Sequence, residues 1–251
     1  MLRNGSVSGW WKDAREMTDP RFDLGLYAVP EAARLARVPR TTLGNWMRGY
    51  RYPAGGRMVR AKPVIAPTGP DSSLSFVNLM EALTLAGFRQ MRIPMQRVRK
   101  ALDYAARFVD AEHLLASKRL LTDGKELFWE FQERSRDSDV SLVNLSRGGQ
   151  KAFPEAVMRY LREMEWGKDS FAARWWPGSE PGEGVILVDP KRAFGAPVIA
   201  GTGIRTEDVF SRFSAGEPLG DLAEDYGLTI AKIEAAIRLE VRLLEPERLA
   251  A

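Results

Sequence analysis

The sequence predicts a mainly α protein with small β-hairpins, built as an N-terminal winged helix-turn-helix, an α+β middle region and a C-terminal trihelical module of helix-turn-helix-like pattern. Three observations predict it. Between Tyr27 and Tyr50 two short helical patterns are separated by Val38-Pro39, and Gly55-Gly56 then stands between two short β-prone runs. Positive charge gathers on the same stretch: from Tyr27 to Ala66 eight basic residues face one acid, Glu31, a net +7. From Arg205 to Ala251 six basic residues face ten acids, a net −4, on three helical patterns punctuated by Gly216 and Gly227. Asymmetry of this kind separates a part that meets a polyanion from a part that meets something else.

Residues 1–26, with Trp10 and Trp11 side by side, have mixed charge and no periodicity and read as a mobile arm. Residues 27–73 form the reading head. Pro30 suits a first helical turn, Ala32, Ala33, Leu35 and Ala36 give a small-residue face, and a second helix runs from Arg40 to Arg48 with Leu43, Trp46 and Met47 inward and Gly49 as its stop. Arg51 to Ala66 reads as a hairpin wing, with Arg60 and Lys62 on one face of the returning strand, and Pro67 to Ser73 as a polar linker.

Residues 74–176 are the middle region. Ser75 caps a helix with Phe76, Leu79, Leu83 and Ala86 on one stripe, and a second helix starts at Pro94, its Arg97, Arg99, Lys100 and Arg107 forming a solvated basic face. Asp123-Gly124, between Leu120-Leu121 and Leu127-Phe128-Trp129, predicts a hairpin turn. Leu142 to Leu145 adds a strand, Gly148-Gly149 a turn, and Phe153 to Trp166 a helix ended by Gly167. The Pro/Gly-rich stretch from Pro177 to Gly184 leads into residues 184–251, with a strand at Val185 to Val188, a tight turn in the glycine-rich Phe194 to Thr206, and helices at Glu207–Ala215, Pro218–Tyr226 and Thr229 to about Leu244.

Composition narrows the function classes. With 45% apolar and 28% charged residues and a mean hydropathy of −0.28, the chain reads as globular. No apolar run approaches the roughly 18 residues of a membrane span, and residues 1–20 lack a secretory apolar segment, so the reading is cytoplasmic with no membrane partner. With no cysteine there is no thiolate nucleophile and no cysteine-based metal site; the single histidine, His113, precedes Leu114-Leu115 and reads as structural. There is neither a Walker loop nor a GxGxxG after a strand. The chain is therefore read as a non-enzyme, with no catalytic residue, no metal and no cofactor assigned. A ribonuclease reading would need clustered carboxylates, and Asp137 and Asp139 look like loop residues.

In a helix-turn-helix the second helix enters the major groove. The residues opposite Leu43, Trp46 and Met47 are Arg40, Thr41, Asn45 and Arg48, which are assigned to base edges, since arginine pairs with guanine and asparagine with adenine. Arg57, Arg60 and Lys62 are assigned to phosphates. A head this small makes few contacts, so a homodimer on two half-sites is expected.

The run from Tyr27 to Trp46, YAVPEAARLARVPRTTLGNW, resembles the winged helix-turn-helix head of MerR-like regulators. The run from Val188 to Thr206, VDPKRAFGAPVIAGTGIRT, followed by the three helices, resembles the small C-terminal domain of VapB-type antitoxins that accompany PIN-domain ribonuclease toxins. Many relatives read Gly-Thr-Arg-Ile where this chain has Gly201-Thr202-Gly203-Ile204, so a contact made by that arginine is lost here or passes to Arg205. The resemblance implies an antitoxin that neutralises a PIN-domain toxin and represses its own operon through operator DNA. Toxin contact is then assigned to Arg205, Asp221, Glu224, Asp225, Glu234 and Arg238, with Lys232 and Glu240 on the same surface, because a basic RNA-binding groove suits carboxylates. The rival is a MerR-like regulator answering to a small molecule held by the aromatic segment from Phe128 to Trp176.

Overall fold

Pro30 lies in the first turn of α1 (Val29–Leu35), whose Ala32, Ala33 and Leu35 are buried, and small side chains there let the next helix cross closely. Arg37 takes a left-handed conformation in the turn, and α2 (Arg40–Arg48) follows with Leu43, Gly44, Trp46 and Met47 buried. Gly49 ends α2 at φ 71°, where a Cβ would lie 2.1 Å from the Ala61 carbonyl oxygen, so only glycine lets the chain double back. The hairpin β1 (Tyr50–Ala54) and β2 (Arg57–Ala61) turns through Gly55 and Gly56, both at positive φ, the geometry of a two-residue turn that matches strand twist. The wing is fastened to α2 by the Val64 and Ile65 amides, which donate to the Trp46 carbonyl at 2.7 and 3.2 Å. Tyr27 and Leu74 exchange backbone hydrogen bonds and close the base of the head.

This computed structural model describes residues 19–68, 72–109, 112–135, 141–145 and 151–244. Trp10, Trp11, Asp137, Asp139, Gly148 and Gly149 lie outside them. The end of the supposed arm is anchored: Arg21 is ion-paired with Asp19 and Asp169, and Phe22 packs on His113 and Phe171.

The centre is α3 (Phe76–Gln90). Ser75 and Asn78 form a reciprocal capping box, a device worth about 1 kcal/mol. The expected single stripe understates α3: every residue from Phe76 to Phe88 is buried, as befits a helix walled on all sides. Gly87 touches the backbone at Ala156 and Val157, where a Cβ would come within 2.8 Å. The helix α4 (Met95–Ala105) follows Pro94, but the basic face expected on it is only half solvated, since Arg97 and Arg99 are buried while Lys100 and Arg107 are exposed.

The hairpin expected at Asp123-Gly124 is absent. Short 3-10 turns at Leu114–Ala116 and Lys118–Leu121 lead into α5 (Asp123–Arg134), where Asp123 stands in the first turn, favourable to the helix dipole. Gly124, Leu127, Phe128 and Phe131 recur at helical spacing, and Phe128 stacks on Phe88 and meets Phe153 edge to face. The strand expected from Leu142 is only β3 (Asn144–Leu145), paired with β4 (Lys151–Ala152); Leu142 and Val143 are instead held by the Gln132 amide. The helix expected to Trp166 stops early as α6 (Glu155–Arg162), and β5 (Met164–Trp166) pairs with β6 (Ala172–Trp175). Trp175 and Trp176 donate their indole N–H groups to Glu163 and Glu165, which fixes that hairpin.

A last hairpin, β7 (Ile186–Leu187) and β8 (Val198–Ile199), precedes α7 (Thr206–Ser214), α8 (Leu219–Tyr226) and α9 (Ile230–Leu244). About half the chain is helical, with small antiparallel hairpins and an N-terminal helix-turn-helix. One apolar core runs from Tyr27 through α3 to Leu243. No helix among the described residues is long and apolar enough to cross a membrane.

Candidate nucleic-acid interface

Arg40, Thr41, Asn45 and Arg48 are all exposed on one face of α2, opposite the buried Leu43, Trp46 and Met47. The Arg48 guanidinium folds back over Gly44, where a Cβ would lie 2.5 Å from its Nη2. The wing projects with Arg57 and Arg60 exposed; Arg51 lies directly opposite Arg60, so two like charges share one face. Such a pair is unfavourable until an anion joins it. Lys62 is exposed but lies beyond the end of β2, which corrects its expected place on the returning strand, and its carbonyl accepts from Arg99 Nε at 2.8 Å. Arg40, Arg48, Arg51, Arg57, Arg60 and Lys62 ion-pair with no carboxylate among the described residues. An exposed, uncommitted row of cations beside a helix with exposed amide and guanidinium groups can hold phosphates and reach base edges.

The assigned C-terminal residues are mostly already engaged. Arg205 pairs with Glu207 at 2.8 Å, Glu234 with Arg238, and Asp225 with Arg212, which also grips Glu217. The hydrogen bonds that Arg212 donates to Glu217 and Asp225 raise the Arg212 pKa, and the same bonds to Glu217 lower the Glu217 pKa. Asp221 and Glu224 remain exposed on α8. Glu240, expected on the same surface, is 2% exposed and faces inward. It accepts from Arg34 Nη1 at 2.6 Å and from the buried Thr206 hydroxyl, so it ties α9 to α1 of the head.

Sequence reasoning missed two features. Tyr27, fully buried, donates its hydroxyl to the Gly195 carbonyl at 2.9 Å, and burial pushes its pKa up, so it remains a donor. Gly195 follows Ala193 and Phe194, both in the left-handed region, and Phe194 is 88% exposed. Nothing in the residue pattern announces that ring; only the backbone turn around Gly195 brings it out. The aromatic segment from Phe128 to Trp176 is largely core, although Trp175 borders a cavity of about 290 Å³ with Arg37, Glu163 and Arg242. His113 sits 3.3 Å from Glu81, the contact that raises its pKa, and touches Phe22.

Helix, turn, exposed second helix and wing define a helix-turn-helix protein of the DNA-binding class. In agreement, residues 25–102 match the family model described as "Putative DNA-binding HTH domain". Residues 186–239 match a second family, DUF433, described only as a protein of unknown function. The chain is 38% identical over 227 residues to "Putative antitoxin VapB45" of Mycobacterium tuberculosis, covering 86% of this chain and 94% of that protein, and it belongs to that VapB-like antitoxin family. It is also 27% identical to Rv2308 of the same organism, over 86% of this chain and 90% of the relative. The crystal structure of Rv2018 from M. tuberculosis is similar at TM-score 0.68 and 35% identity, covering 86% of this chain and 99% of that one.

Proposed function

We propose that this chain is the antitoxin of a toxin–antitoxin pair, that it binds operator DNA through a MerR-like head to repress its own operon, and that it neutralises a PIN-domain ribonuclease. The DNA half rests on one observation: Arg40, Arg48, Arg57, Arg60 and Lys62 are exposed and unpaired around α2 and the wing. Arg40, Thr41, Asn45 and Arg48 read bases, and Arg57, Arg60 and Lys62 hold phosphates. Two copies of the 28.1 kDa chain bind two half-sites as a homodimer. Light scattering that returned only the monomer mass, with and without the upstream DNA fragment, would reject that last step.

The toxin half takes its direction from the name of the VapB45 relative and from Asp221 and Glu224, exposed acids suited to a basic groove. Phe194 adds an apolar anchor that a partner can enclose. The test is co-purification of a neighbouring nuclease with wild type, with Asp221→Lys/Glu224→Lys, and with Phe194→Gly. Glycine suits the left-handed backbone at 194, so that variant removes the ring without strain. Undiminished retention by both variants would place the toxin contact elsewhere.

A further inference from the structure

Arg99 on α4 holds a polar defect that the described residues leave unrepaired. The residue is 8% exposed. Its Nε donates to the Lys62 carbonyl, and its guanidinium lies 5.2 Å from the centre of the Tyr50 ring, so the stem and one edge are fixed. Both terminal nitrogens, Nη1 and Nη2, are buried with no hydrogen-bond partner among the described residues. An arginine cannot shed its proton to escape that situation, and a buried donor without an acceptor is costly. Of the two acids bordering the same space, Glu81 and Asp103, Glu81 is occupied by Asn78 and His113.

Arg99 lines a cavity of about 390 Å³ between the root of the wing and α4, within the size range of ligand sites. Arg60, Lys62 and Lys100 also line it, against the acids Glu81 and Asp103, and Leu102, Leu114 and Leu115 supply an apolar wall. We propose that this cavity binds a small organic monoanion, a carboxylate on an apolar body, whose oxygens bond the unsatisfied fork of Arg99. The two lining acids disfavour a multiply charged phosphate, and the apolar wall asks for a hydrophobic body. Duplex DNA is too stiff to bring a backbone phosphate to buried nitrogens, so the ligand is a molecule that enters the cavity. Because Arg99 grips the Lys62 carbonyl, the ligand sits one hydrogen bond from the wing; this site stands whether or not the head binds DNA as proposed.

The experiment is calorimetric titration of the full chain, without DNA, with benzoate, 1-naphthoate and octanoate, against benzamide and inorganic phosphate. At least one carboxylate is expected to saturate one site per chain and to bind at least tenfold more tightly than benzamide or phosphate. Arg99→Met keeps an apolar stem over Tyr50 and removes the unsatisfied end together with the Nε bond to the Lys62 carbonyl; it is expected to stay folded, checked by its thermal transition, and to weaken the carboxylate at least tenfold. Leu102→Trp keeps the arginine, narrows the cavity and is expected to weaken binding as well, whereas the distant exposed Lys168→Gln is expected to bind as wild type. The proposal is overturned if none of the three carboxylates saturates, if Arg99→Met binds as wild type does, or if benzamide or phosphate binds as tightly as the carboxylates.

Discussion

Two arginine-rich regions of this molecule behave differently. On the reading head Arg40, Arg48, Arg51, Arg57 and Arg60 are exposed and free of carboxylates, whereas in the C-terminal helices Arg205, Arg212 and Arg238 are each clasped by a glutamate. A free surface cation keeps its long-range field and releases counterions when it meets a phosphate; a paired one has little of either left to give. Segment charge alone, +7 against −4, points the same way, and the pairing adds a physical reason to expect less electrostatic attraction for a phosphate backbone from the C-terminal helices than from the head.

The sharpest way to break this comparison is to strip α2. The triple variant Arg40→Ala/Asn45→Ala/Arg48→Ala is expected to lose specific binding to the upstream fragment by about 3 kcal/mol or more, at about 1 to 3 kcal/mol for each base contact, measured by fluorescence anisotropy. Equal binding by wild type and variant would sink the assignment of α2.

A second expectation concerns the joint between the two regions. Glu240→Ala leaves Arg34 and Thr206 without their shared acceptor and is expected to cost about 2 kcal/mol in urea unfolding. No loss of stability would mean that water replaces the carboxylate freely.

The wing and the C-terminal helices then separate by salt. Lys62→Ala is expected to flatten the slope of log affinity against log salt by about one unit for any duplex, while Arg212→Ala leaves it unchanged. If both variants shift the slope alike, the contrast between free and paired cations fails.

The smallest effect is a pH dependence. Glu81 raises the His113 pKa, so the folded protein holds that proton more tightly than the unfolded chain. The stabilisation is complete below the unfolded value of about 6.5 and is lost as pH rises through the higher folded value. Thermal unfolding at stepped pH is expected to show this decline in wild type and a flatter profile in His113→Asn.

The head and the last three helices were legible because their signals are local. Pro30, Gly49, Gly55-Gly56, Gly216 and Gly227 mark starts and stops whatever the rest of the chain does. The middle was less legible because long-range burial decides it. Asp123-Gly124 is a good hairpin dipeptide and an equally good helix entry, and the helical spacing of Gly124, Leu127, Phe128 and Phe131 is the signal that distinguishes them. Arg97 and Arg99 look like a wet face until α4 closes against the wing, and Glu240 looks exposed until Arg34 and Thr206 arrive from over thirty residues away or more. The exposure of Arg40, Thr41, Asn45 and Arg48 on one face follows from helix periodicity; that of Phe194 depends on a backbone turn that no residue pattern encodes.

The bonds from Tyr27 to Gly195 and from Arg34 to Glu240 also bear on how the protein can be taken apart. A head excised for use on another protein would carry an apolar scar centred on Tyr27 and a guanidinium stripped of its carboxylate, and its free energy of folding would be that of an unfinished surface. Chimeras that exchange the exposed surface of the head among relatives should therefore transplant α2 and the wing alone, leaving α1 with the α9 that it grew up against.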